Sequence, residues 1–290
     1  MVEGEHGATI EGDDDAAVEG DDDAAVTGDE DAAVKGGDED SAVKDEEPVE
    51  GEGDAAVEDE DDAGVTVEHD VGLHFLHVGK TGGTSVKKMV RKKNLSTLPD
   101  GRRLVMHRHQ VALPEVLGWH ESNVGAIFLR HPVSRFVSGF NSRLREGAPQ
   151  KLIPWKPPER IAFGHFPTAN DLAEALSAAD PITEDRAIAA MEAMVHTRMR
   201  LTYWLRDVPY LQRRLDRIAF IGFQEHYAED VSRFFRTLGV EKVRVVHQHQ
   251  APSSSTTSLS DLARENLERW YADDVVIYEW ALAQRDRWAG

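Results

Sequence analysis

Beyond residue 70 the chain alternates short, almost wholly apolar runs with longer segments whose apolar positions recur at helical spacing. GLHFLHV (72–78) is bounded by glycine and reads as a buried strand. GTSVKKMVRKK (83–93) follows with Val86, Met89 and Val90 on one face, which predicts a helix. VGAIFLR (124–130) is a second buried strand. Pro132 suits a first helical turn, and VSRFVSGFNSRLR (133–145) continues as helix. RIAFIGF (217–223) reads as a third strand, EHYAEDVSRFFRTLG (225–239) as a helix closed by Gly239, and KVRVVH (242–247) as a candidate fourth strand. A further short strand is expected just before His107. Strands alternating with helices require right-handed crossovers, so the fold class is α/β: a P-loop-like parallel sheet flanked by helices on both faces. About 220 residues are enough to bury such a core as one domain, 70–290. Residues 146–168 are Pro-rich and aperiodic, which predicts a long surface loop.

The first seventy residues follow a different rule. The unit EGDDDAAV recurs from residue 11, first faithfully and then loosely, with two Ala and one Val against three or four acids. Ordering a residue costs roughly 1–2 kcal/mol of backbone entropy, which so little apolar surface does not offset. A disordered acidic tail over residues 1–69 is therefore expected. Charge divides the same way: residues 1–70 hold 29 acids and two lysines, whereas residues 71–290 hold 24 acids and 31 Lys or Arg. An acidic tail thus precedes a mildly basic body, and the tail either simply solvates the chain or contacts that body or a basic partner.

Cysteine is absent, which excludes disulfides and thiolate metal sites. The opening MVEGEHGATIEGDDD has neither the basic nor the apolar region of a signal peptide. No apolar run reaches the ~20 residues that cross a bilayer. The expected location is the cytoplasm, with no membrane partner. No nucleic-acid-binding motif is present either.

Chemistry gathers behind the first strand, in GKTGGTS (79–85). Gly79, Gly82 and Gly83 let the backbone turn tightly and bring N–H groups to an anion. The helix that starts near Thr84 adds unsatisfied N–H groups and a positive dipole end. Lys80 brings a full charge, and Thr81, Thr84 and Ser85 bring hydroxyls. A nucleotide-triphosphate P-loop, GxxxxGK[ST], matches only at Gly79-Lys80-Thr81, because its opening glycine falls on His74. The second strand ends in Arg130, which suits another phosphate better than a metal.

Two stretches together, HVGKTGGTS (77–85) and RHPVSRFVS (130–138), resemble the sulfotransferases that use 3′-phosphoadenosine 5′-phosphosulfate (PAPS). The likeness is greatest to the carbohydrate branch that holds the heparan sulfate 2-O-sulfotransferases, and it extends over roughly residues 72–282 through FIGFQEHYAEDVSRFFRTLGV and LSDLARENLERWYADDVVIYEW. The resemblance implies that residues 80–85 bind the 5′-phosphosulfate and that Arg130 and Ser138 bind the 3′-phosphate. Arginine offers a planar fork for such an anion and serine a neutral donor. ATP has no 3′-phosphate, so this second cradle separates the two nucleotides.

In sulfuryl transfer an acceptor hydroxyl attacks in line and charge grows on the leaving phosphate oxygen, so positioning and electrostatics dominate. Resemblance and charge both make Lys80 the group that stabilises that oxygen. The transferred group carries little net charge, so no metal is required. In the 2-O-sulfotransferases an H-x-H element carries the base. VMHRHQV (105–111) matches it by position, with His109 as first choice and His107 second, although Arg108 replaces the usual glycine between them. Two residues apart on an extended segment, the pair is expected to face one side. Glu115 is a weaker candidate base.

The implied acceptor is a hydroxylated molecule, a carbohydrate or another small one. The alternatives are an ATP-dependent kinase or NTPase, and a non-catalytic nucleotide-binding interaction protein. Trp155 offers either a platform for a sugar ring or a loop anchor. Lys87, Lys88, Arg91, Lys92 and Lys93 form a basic stretch on the first helix that is, by default, a solvated face. The resemblance implies that His247, His249 and Ser253 to Thr257 lie beside the nucleotide; a flexible linker into the helix at 259 accounts for the serine-rich stretch equally well.

Overall fold

The computed structural model describes residues 71–148, 152–241, 243–245 and 258–288. The expected tail (1–69) lies outside these residues, as do His247, His249 and the serine-rich stretch after them. Four parallel strands form one sheet in the order β2-β1-β3-β4: β1 (Gly72–Leu76), β2 (Arg103–Met106), β3 (Val124–Leu129) and β4 (Ile218–Phe223). In register, Phe75 of β1 stands opposite Met106 on one side and Ala126 on the other.

Twelve α-helices occur among the described residues. The first six are α1 (Gly83–Lys92), α2 (Leu113–Trp119), α3 (Pro132–Leu144), α4 (Pro157–His165), α5 (Ala169–Ala175) and α6 (Pro181–Ala193). They continue with α7 (Val195–Arg198), α8 (Leu201–Leu205), α9 (Val208–Arg213), α10 (Tyr227–Thr237), α11 (Asp261–Trp270) and α12 (Ala272–Ala283). None of the described helices is long and apolar enough to cross a membrane.

Alternation along the strands sends side chains to two covered faces. On one, Phe75, Phe128 and Phe220 close on Phe234 of α10, with ring centroids 5.5, 6.0 and 5.3 Å from it. On the other, Gly125 lies against Leu113 of α2 and Phe223 against Tyr278 of α12. A second apolar cluster joins α3 to α4, α5, α6 and α11 through Phe136, Phe140, Phe163, Leu172 and Met191. The strand order places a switch point between β1 and β3, because the crossovers leave these neighbours in opposite directions. Residues 79–85 and Arg130 both leave the sheet there.

Two expectations are corrected. Residues 146–168 are not wholly loop, since α4 occupies Pro157–His165. Pro157 and Pro158, which read as breakers, stand in its first turn, where a missing N–H costs nothing. The buried Glu159 then pairs with Arg143 of α3, accepting from Nε at 2.6 Å and from Nη2 at 2.5 Å. The fourth strand is also not KVRVVH: residues 243–245 carry no strand, and the rest of that run lies outside the described residues. Its place in the sheet is taken by Arg103–Met106, the short strand expected before His107.

Candidate active site

The turn from β1 into α1 is held in shape by its own side chains. Thr81 is fully buried, and its hydroxyl donates to the Val78 carbonyl at 3.0 Å, stapling the turn. Gly82 caps α1 at φ 89°, a left-handed conformation that glycine adopts without a Cβ penalty. A Cβ there would stand 2.5 Å from Gln224 Oε1 and 2.6 Å from Tyr227, and one on Gly83 would stand 2.4 Å from the His77 ring. The Gly82 carbonyl accepts from the N–H groups of Ser85 and Val86 and from the Tyr227 hydroxyl. Ser85 is buried and bonds to Tyr227, while Thr84 is exposed at the head of the helix.

Lys80 adopts φ 70°, a left-handed conformation uncommon outside glycine and characteristic of residues whose placement the surroundings dictate. Its side chain is half-buried, and burial first, then Arg130 and Arg145, push its pKa down to about 8. Across the switch point, Arg130 reaches from the end of β3 with Nη1 3.5 Å from the Lys80 carbonyl and Nε 3.1 Å from Ser134 Oγ. Burial lowers the Arg130 pKa, and Glu225 opposes that shift. Ser138 stands half-buried on α3, one turn beyond Ser134.

The two expected histidines part company. His107 is buried, with Nε2 2.8 Å from His74 Nδ1 and its ring 5.5 Å from Trp119 of α2. His109 instead lies against His77, ring centroids 4.0 Å apart, at the mouth of α1. The expectation that both face one side fails because β2 ends at Met106 and the chain turns at His109, so the two-residue period does not carry through. His109 Nδ1 is 2.8 Å from the His77 carbonyl. A carbonyl only accepts, so Nδ1 carries the proton and Nε2 is the lone-pair nitrogen of the neutral ring. Trp204 Nε1 holds the His109 carbonyl at 2.7 Å. Burial, and then His74 and Lys87, push the His107 pKa down to about 3.

A third histidine, His196, completes the group and was not foreseen. Its Nδ1 lies 3.3 Å, and that of His109 3.9 Å, from the position a Cβ on Gly79 would take. Burial, then Lys80 and His109, hold His196 well below the usual histidine range. Arg135, buried between Trp204 and Tyr271, donates to the His196 and Met199 carbonyls and so fixes α7 against α3. In sequence His196 is a solitary histidine in AMVHTRM, a stretch with no motif around it.

The remaining candidates are anchors. Trp155 donates to the Arg143 carbonyl at 2.7 Å and packs on Phe163, and exposed Glu115 accepts from the N–H of Ala112 at the head of α2. Lys88, Arg91, Lys92 and Lys93 are exposed on α1, and Lys87 is half-buried.

A glycine-rich turn with a lysine at its centre, an arginine meeting it from the next strand and a histidine at its first glycine make a candidate site for an anionic donor. A sequence model described as the sulfotransferase family matches residues 64–281, most of the chain. The chain belongs to the sulfotransferase family. No curated protein matches it. Membership makes the chain's activity sulfotransfer and its donor a sulfonate donor. The turn suits such a group: it brings the Lys80 ammonium to the head of the ten-residue helix α1, whose first N–H groups and positive dipole end favour an anion, while glycine at 82 and 83 lets that head pack against Gln224, Tyr227 and the His77 ring.

Proposed function

We propose that this sulfotransferase moves the sulfuryl group of PAPS to a hydroxyl of a carbohydrate or other small acceptor, as the heparan sulfate 2-O branch does. One observation supports the reading: Arg130 approaches the Lys80 carbonyl, so the arginine after β3 adjoins the lysine turn after β1 at the switch point. Two neighbouring cationic groups suit a nucleotide esterified at both ends. Bound PAPS would supply a sulfuryl group on a phosphate leaving group.

The chain's own residues supply the rest. Backbone N–H groups at the head of α1 attract the 5′ end. The Lys80 ammonium, pushed towards neutrality by burial, concentrates charge where the leaving oxygen develops its own. Arg130 and Ser138 receive the 3′-phosphate. His109 Nε2 takes the proton of the acceptor hydroxyl, while the His77 carbonyl fixes the ring through Nδ1. His107, neutral and packed under Trp119, is too weak a base for that step.

The test is calorimetric titration of the full chain with adenosine 3′,5′-bisphosphate and AMP, followed by transfer from radiolabelled PAPS to a panel of acceptors. The expected result is tighter binding of the bisphosphate, by tenfold or more on the order of one charged hydrogen-bonded contact, and label on a hydroxylated sugar. Equal affinity for the two nucleotides would refute the reading. The cytoplasmic location and a contact between the acidic tail and the basic body belong to the same proposal; a fractionation experiment and deletion of residues 1–69 test them.

A further inference from the structure

Glu225, the second residue beyond β4, lies at the side of the Arg130 cradle. Its Oε1 accepts from the backbone N–H of His131 at 2.9 Å, the residue that caps α3. The same oxygen is 3.3 Å from Ser134 Oγ, whose single proton lies between Glu225 and the His131 carbonyl at 3.0 Å. Ser134 Oγ in turn accepts from Arg130 Nε at 3.1 Å. The Tyr278 hydroxyl also bonds to Glu225, and burial together with that carboxylate raises the Tyr278 pKa. One carboxylate therefore gathers the start of α3, the serine that holds Arg130 and a tyrosine of α12.

The platform beneath it is rigid. Asp230 of α10, fully buried, accepts from the N–H of Phe223 at 2.8 Å and pairs with Arg285, so the end of β4 is fastened from both sides. The preceding residue, Gln224, walls the other cradle at Gly82. Two consecutive side chains at the end of β4 thus lie one against the turn at Gly82 and one against Ser134, the partner of Arg130.

We propose that Glu225 is a positioning residue that aims the Arg130 guanidinium, through Ser134, at the phosphate on the 3′ side of the bound nucleotide. The inference rests on the reading of this site as a PAPS site. Glu225 does not touch the nucleotide in this scheme. It acts by fixing Arg130 Nε, which, with Nη1 set against the Lys80 carbonyl, orients the guanidinium and presents its Nη2 side to the ligand. Its effect is therefore confined to the 3′-phosphate.

The full chain is titrated calorimetrically with adenosine 3′,5′-bisphosphate and with AMP, which has no 3′-phosphate. In Glu225→Ala the bisphosphate should bind about tenfold more weakly, the size of one hydrogen bond to a charged group. AMP should stay within about twofold, so the ratio between the two nucleotides collapses. Glu225→Gln keeps an acceptor for the His131 N–H and should retain most of the ratio. Ser134→Ala removes only the hydroxyl through which Glu225 acts and, should Glu225→Ala fail to fold, carries the test with a fall of similar size, about tenfold. An unchanged ratio in these variants, an equal loss for both nucleotides, or a tighter bisphosphate complex in Glu225→Ala would each overturn the inference. Equal wild-type affinities would overturn the PAPS reading and this inference with it, whereas wild-type discrimination that survives in the variants sinks only the role of Glu225.

Discussion

Two histidine pairs span β1 and the end of β2, and they differ in what surrounds them. His74 and His107 stack almost parallel, 9° apart with centroids at 5.1 Å, and bond ring to ring. His77 and His109 lie closer, at 4.0 Å, but are joined by a backbone carbonyl rather than by a second ring nitrogen. The first pair uses its nitrogens on each other under an indole and is part of the core. In the second, the His77 carbonyl accepts from Nδ1 of His109, and the ring lies near His196 at the Gly79 turn. The same side chain on the same two segments is a packing element or, as we propose for His109, a base according to which acceptor it meets. Residue type selects the candidates, and the hydrogen-bond partner selects the role.

The largest test of this contrast is to remove one member of each pair. His109→Ala should lower turnover by 10²–10⁴-fold, the usual contribution of a general base, with little change in melting temperature. His107→Ala should do the reverse, costing about 2–4 kcal/mol by opening a cavity under Trp119 while each folded molecule keeps most of its turnover. Matched steady-state kinetics and denaturant melts decide. Comparable loss of turnover in both variants would erase the distinction.

Acid should break the buried pair next. The folded-state pKa of His107, about 3, lies below the ordinary 6.5, so the unfolded chain binds more protons between those values. Stability is therefore intact above pH 6.5 and declines as pH falls, by ~3 kcal/mol at pH 4 from this histidine alone. Urea melts at stepped pH measure it, and a flat profile from pH 7 to 4 would contradict the burial.

Base should then act on the open side of the contrast. Lys80, at about 8 instead of 10.5, loses its proton as pH rises through 8, so kcat/KM should fall along that limb. Stability should move the opposite way, rising between about 8 and 10.5 because the unfolded chain there binds more protons than the folded one. Rate and melting profiles that fall together above pH 8 would show that Lys80 is not the titrating group. The smallest effect is expected from Gly83→Ala, whose new methyl would press on the His77 ring and shift His109 with it, for a few-fold rise in KM.

Much of the sheet was legible in advance. β1, β3 and β4, with the helices that follow them, occur within about two residues of where the apolar runs put them. α4 was not, because two prolines that end helices in most contexts begin this one. In the site, the turn at 79–85 and Arg130 declare themselves through residue types that a plain strand–helix turn does not need. His196 and Glu225 do not: His196 stands in a stretch without motif, and Glu225 reads as one acid among several at the head of a helix, and they are brought in by α7 and by the end of β4.

The order of apolar and polar positions was enough to specify an α/β sheet, the place of the anion turn after its first strand and the arginine after its neighbour, because these depend on local period and on the short reach of one crossover. The base proposed at His109, the serine that bonds to Arg130 and the carboxylate proposed to steady them depend on contacts made only when distant segments meet. Those roles are properties of hydrogen-bond partners, and a partner 91 residues away, as Glu225 is from Ser134, leaves no trace in local pattern.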